Sequence, residues 1–184
     1  MIVSLLFGRK KRRKMGDQLY SFIAQAARDI NFFGAHKIPD TVDGRFEVLV
    51  IHAFLTMQAL RVAGPKQRLD QLVFDAMFRD LDSALREMGT SDTRVGKQIK
   101  AMAKAFYGRS EKYHEAIETG DLDQIRQAIE RNALASMPAP PAPPFVAELA
   151  DWLLRSKTTL AKQTLDEITE FGPAFAKPKF SSTM

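Results

Sequence analysis

The chain has 184 residues, 45% apolar and 27% charged, which is the balance of a water-soluble globular domain rather than a disordered or bilayer-embedded one. It has no cysteine, which excludes disulfides, thiolate nucleophiles, zinc knuckles and iron–sulfur ligation together. The formal charge of +5 belongs to one run, Arg9, Lys10, Lys11, Arg12, Arg13 and Lys14: the other 21 basic residues face 22 acidic ones, a net of −1.

Ahead of that run lies an apolar stretch that includes Ile2, Val3, Leu5, Leu6 and Phe7. A secretory signal carries its positive charge before the apolar stretch, not after it, so export is not expected. Seven residues are also too few to span a bilayer, which takes ~20. Residues 1–14 are therefore expected to form an arm. Leu5, Leu6 and Phe7 could enter a membrane shallowly while the six cations sit over anionic headgroups, each contributing ~1 kcal/mol. A phosphate backbone rewards the same cations, so ribosomal or other RNA is an alternative partner, and a solvated tail is the plain reading. No DNA contact is expected. The membrane reading places the protein in the cytoplasm, peripheral on the cytoplasmic face of the inner membrane.

From 15 to 171 the apolar spacing is helical, with no convincing strand segments, and predicts an all-α single-domain bundle of about six to eight helices. A first helix is predicted over 15–33, closed by Gly34, with Leu19, Phe22, Ile23, Ala26, Ala27 and Ile30 on its apolar steps. A second, about 43–63, is apolar round so much of its circumference that it belongs at the centre. Gly64 and Pro65 stop it. A third covers 65–88 and ends at Gly89, and a fourth, capped by Ser91 or Asp92, runs to about Phe106. A short piece follows Gly108 at 110–118, and Asp121 with Gln124 opens a further helix through Ile125 and Ile129. Pro138, Pro140, Pro141, Pro143 and Pro144 predict an extended bridge. Residues 145–171 read as a kinked helix or two helices, and 172–184 as a flexible tail with Phe175 and Phe180 as its only docking residues.

No catalytic constellation emerges. His36, His52 and His114 form no ligand-spaced pair, and there is no phosphate-binding glycine loop or nucleophile elbow, so neither an enzyme nor a metal site nor any other cofactor is expected. His52 on the central helix invites a haem reading, but a lone helical histidine is more often packed. The third helix is more informative. Leu69, Val73, Ala76, Met77 and Ala84 form its apolar stripe, and Asp80 and Glu87 fall on that same side. An ionised Asp80 in a dry core needs a partner, for which Lys97, Lys100, Arg94 and Arg61 are candidates; otherwise this face lines a groove open to another molecule. Asp75, Arg79, Asp82 and Arg86 share the opposite face at the spacing of an exposed, salt-bridged surface.

The stretch Met77-Phe-Arg-Asp-Leu-Asp-Ser-Ala-Leu-Arg-Glu-Met-Gly-Thr-Ser-Asp-Thr-Arg-Val-Gly-Lys97, then Met102-Ala-Lys-Ala-Phe-Tyr-Gly-Arg109 and Tyr113, resembles the signature of the ubiquinol–cytochrome c chaperone family. Leu60, Arg61, Gln71 and Phe74 extend the resemblance over most of 45–135, while Leu81 stands where the family usually has Met. The resemblance implies an assembly chaperone that binds newly made cytochrome b before the quinol–cytochrome c reductase is complete. The lack of an Arg- and Ser-rich presequence suggests a bacterial relative, in which the small partner subunit of mitochondrial members can be missing. The positions carried over are Asp80, Asp82, Leu85, Arg86, Glu87, Gly89, Lys97, Phe106, Tyr107, Gly108 and Arg109. Of these, Asp80, Asp82, Arg86, Glu87, Lys97, Phe106, Tyr107 and Arg109 are expected to bind the partner, with Phe106 rather packed and Arg109 rather in contact. Gly89 and Gly108 fit helix ends. The expected grip is an apolar, acid-containing groove on the third and fourth helices.

Overall fold

Lys, Arg, Leu and Met are good helix formers, and the isolated Gly8 is not enough to interrupt them. In the computed structural model, which describes residues 2–65, 67–131 and 141–181, the basic run accordingly lies inside a helix instead of preceding one. Helix α1 spans Ile2–Ala26; the side chains of residues 2–7 and 9 are outside what is described. It also ends earlier than predicted. Asp29 caps a separate 3-10 turn, Ile30–Phe32, by accepting the Asn31 N–H through its side chain.

Helix α2, Val42–Ala63, is the axis of the fold, as its unbroken apolar circumference predicts, and it touches α1, α3, α4, α6 and α7. By length and composition it could cross a bilayer, yet 67% of its most apolar window is buried inside the body. Helix α3 spans Leu69–Glu87. It closes at Gly89, whose φ of +82° suits glycine, while the Thr90 N–H returns to the Leu85 carbonyl.

Helix α4 runs unbroken over Asp92–Thr119, so Gly108 lies inside it and the predicted stop near Phe106 and separate piece at 110–118 do not occur. One glycine costs a helix only ~1 kcal/mol relative to Ala. Burial of Phe106, Tyr113, Ala116 and Ile117 on either side of it outweighs that cost. Asp121 caps α5, Leu122–Ile129, through the N–H groups of Asp123 and Gln124.

The expected proline bridge falls partly outside the described residues, at Pro138 and Pro140. Pro143 and Pro144 are not extended spacers but the first turn of α6, Pro143–Leu160, where a missing N–H costs nothing. A capping box between Thr164 and Glu167 opens α7, Leu165–Phe171, so the region 145–171 is two helices.

Residues 172–181 pack where a loose tail was expected. The Trp152 indole N–H donates to the Ala176 carbonyl at 2.7 Å, and the Ala176 N–H donates to Ser156 Oγ at 3.1 Å. The Ser181 N–H reaches Glu148 at 2.9 Å. Phe175 and Phe180 then complete an aromatic cluster with Phe32, Phe145, Trp152 and His52.

An apolar groove and the places of the motif residues

His52 sits at the centre of that cluster, 1% exposed, with ring centroids of Phe32, Trp152 and Phe175 within 4.6–5.1 Å. Its Nδ1 lies 2.7 Å from the Val48 carbonyl, and burial lowers its pKa to about 4, so it packs as a neutral ring. Among the described residues no His, Asp or Glu group is arranged to hold a metal ion.

Asp80 is exposed rather than buried, and its partner is none of the four cations considered. The Tyr20 hydroxyl of α1 donates to it at 2.6 Å. Burial of the phenol and the neighbouring carboxylate together hold Tyr20 well above its usual pKa. Arg61, one of the four, pairs with Asp70 at 2.7 Å instead. Asp80 and Asp82 line a cleft of about 990 Å³ between α1 and α3, where charged side chains alternate with Phe74, Phe78 and Ile99. Arg86 ties Asp82 to Asp92 across the α3–α4 joint. Glu87 and Lys97 are exposed and lie in neither cleft.

The charge that is buried is Glu47 on α2, 3% exposed, which accepts a hydrogen bond from the Arg109 guanidinium of α4. Arg109 was expected at a partner surface; its side chain is 17% exposed and directed inward, over the Phe46 ring as well. Glu47 Oε2, Ser110 Oγ and the Tyr113 hydroxyl are buried without a hydrogen-bond partner. Burial therefore pushes the Glu47 carboxyl up to about 7, against the pull of Arg109 and helped by Asp43. Nothing in the helical periodicity of α2 distinguished Glu47 from a surface carboxylate, because its partner lies 62 residues away.

An apolar concavity lies elsewhere, a groove of about 1130 Å³ between α2, α4 and the end of α6. Phe54, Met57, Phe106 and Leu160 form its buried wall. Val62 and Tyr107 are presented to solvent along it at 84% and 52% exposure, and Gly108 leaves its surface without a side chain. Polar groups frame the rim: Lys157 of α6 pairs with Glu118 of α4 at 2.9 Å, and the Gln58 amide meets the His114 ring at 2.6 Å. Phe74 and Phe78 of α3 stack with Phe106 and Tyr107, so one aromatic cluster joins the wall of this groove to the α1–α3 cleft. The structure thus brings Phe106 and Tyr107 to an apolar groove between α2, α4 and α6 rather than between the third and fourth helices, and leaves Asp80, Asp82 and Glu87 outside it.

A family model for the ubiquinol-cytochrome C chaperone matches residues 34–175, about three quarters of the chain. The chain belongs to that family. It is similar to the crystal structure of the Cbp3 homolog from Brucella abortus, with 28% sequence identity and a TM-score of 0.77 over 96% of this chain and 97% of that one. No curated protein sequence matches it. The matched region of this chaperone contains the whole of α2 through α7, and so both walls of the apolar groove.

Proposed function

We propose that this chaperone is non-catalytic and holds newly made cytochrome b in the α2–α4–α6 groove during biogenesis of the quinol–cytochrome c reductase. The observation that carries the reading is an apolar groove left open to solvent on a member of a chaperone family, with exposed Val62 and Tyr107 along it. Apolar surface of that size on a soluble protein is characteristically a place where another molecule binds. A membrane polypeptide that has not yet met its subunits offers complementary surface in its apolar helices. The polar pairs at the rim, the Lys157–Glu118 ion pair and the Gln58–His114 hydrogen bond, would meet the polar loops that flank such a helix.

The decisive experiment is affinity capture of the tagged chain from its own cells, beside a Val62→Arg, Tyr107→Arg double variant. Recovery of cytochrome b with the wild-type chain and at least fivefold less with the variant is the expected result. Failure of the wild-type chain to recover any reductase subunit, with normal reductase levels after deletion, would overturn the reading.

A further inference from the structure

Six consecutive positions of α1, Arg9 to Lys14, carry cations, and at 3.6 residues per turn they surround the helix completely. Lys10, Lys11, Arg12, Arg13 and Lys14 are all exposed. A helix that lies flat in a membrane interface needs its cations on one face and apolar residues on the other. A closed ring of charge cannot meet that need, since some cations would always be turned into the hydrocarbon. The ring does fit a helix standing steeply to the membrane, where every position not turned to the body faces headgroups. The segment that precedes it, Ile2–Phe7, is helical and apolar apart from Ser4, and rises about 9 Å at 1.5 Å per residue. That length stays inside one leaflet of a hydrocarbon core about 30 Å thick.

Immediately after the ring, α1 is clamped to α3. A Cβ on Gly16 would come within 2.7 Å of the Leu72 carbonyl oxygen, so the two helices approach backbone to backbone there. Arg79 pairs with Asp17, and Tyr20 with Asp80. Arg12 also donates to the Gln67 carbonyl at 2.9 Å, which joins the ring itself to the body.

We propose that α1 is a steep membrane prop: Ile2–Phe7 enters an anionic bilayer nearly along the normal, the ring Arg9–Lys14 seats on the headgroups, and the clamp to α3 holds the body upright beside the surface. An RNA strand would reward the ring but leaves the apolar segment ahead of it without a role. A bilayer uses both, and the body, at a net of −1, adds little attraction of its own. This goes beyond client holding and stands apart from it.

Because the chain has no cysteine, single labels can be placed cleanly. Val3→Cys, Ser4→Cys, Leu5→Cys, Leu6→Cys and Phe7→Cys variants of the full chain, each carrying an environment-sensitive fluorophore, would be mixed with vesicles of 70% phosphatidylcholine and 30% phosphatidylglycerol or of phosphatidylcholine alone. The expected result is at least tenfold tighter binding to the anionic vesicles and a label depth that decreases steadily from position 3 to position 7. A K10Q/K11Q/K14Q variant, which keeps the Arg12 and Arg13 contacts, should lose that binding at least tenfold with an unchanged melting temperature. A depth profile that oscillates with the helical period would overturn the steep orientation. Absent vesicle binding, or equal binding to both vesicle types, would overturn the proposal, as would tight binding to a ribosomal RNA fragment with no affinity for vesicles.

Discussion

Glu47 and Gly108 are single residues whose environments have measurable consequences. The Glu47 carboxyl is raised by burial from 4.5 to about 7 in the folded chain, so over that interval the folded state holds a proton that the unfolded state has released. Stability contributed by the protonated form is present below 4.5 and is lost as pH climbs toward 7, by up to ~3 kcal/mol. His52 works in the opposite sense: lowered from 6.5 to about 4, it withdraws stability as pH falls through that range. Urea unfolding of the wild type and of Glu47→Gln at intervals from pH 5 to 8 separates them, because the His52 contribution cancels in the difference. The difference should change steadily with pH up to about 7 and then level off; a difference that is flat throughout would mean that Glu47 does not titrate there. Gly108 offers a converse test. A Cβ there meets nothing within 4 Å, and leucine is the better helix former by ~0.5–1 kcal/mol. Gly108→Leu should therefore leave the melting temperature equal or higher while its side chain obstructs the groove. Capture of cytochrome b is expected to fall at least fivefold.

At the scale of elements, the α1–α3 seam is where the family motif contributes to architecture. Asp80 is held by a tyrosine from another helix, so its removal loosens a joint. Tyr20→Phe and Asp80→Asn should each cost roughly 1 kcal/mol in chemical denaturation and leave client capture at the wild-type level. Loss of capture at unchanged stability would instead return Asp80 to the partner surface. Gly16→Val pushes on the backbone of α3 itself and should cost ~1–3 kcal/mol. The seam was only partly legible. Helical spacing put Asp80 on the apolar stripe of α3, but that side of the helix faces Tyr20 and solvent. Likewise α4 runs past its turn signal, since Gly108 is a weak breaker when packing continues beyond it, and α1 starts ahead of the basic run, whose Lys and Arg are themselves good helix formers.

For the whole molecule, the segment beyond α7 closes the aromatic centre. Trp152 is the only tryptophan, so its emission reports directly on that closure. Phe175→Ala should cost roughly 2 kcal/mol, less than the ~3–5 kcal/mol of a fully buried phenylalanine, and should shift Trp152 emission to longer wavelength as water reaches the indole. Unchanged emission would mean that the segment does not cover it. What the amino-acid sequence determined by itself was what local periodicity and composition can carry: a helical fold, α2 at the centre, a confined basic run and a family signature. Only the tertiary structure decided that Glu47 rather than Asp80 is the buried acid, that Arg109 turns inward, and that the open apolar groove lies between α2, α4 and α6. The physical reason is that a helix's pattern states which face avoids water, whereas the partner that covers that face arrives from tens of residues away. The 62-residue separation of Glu47 and Arg109, and the 60 between Tyr20 and Asp80, leave no trace in the spacing of either helix.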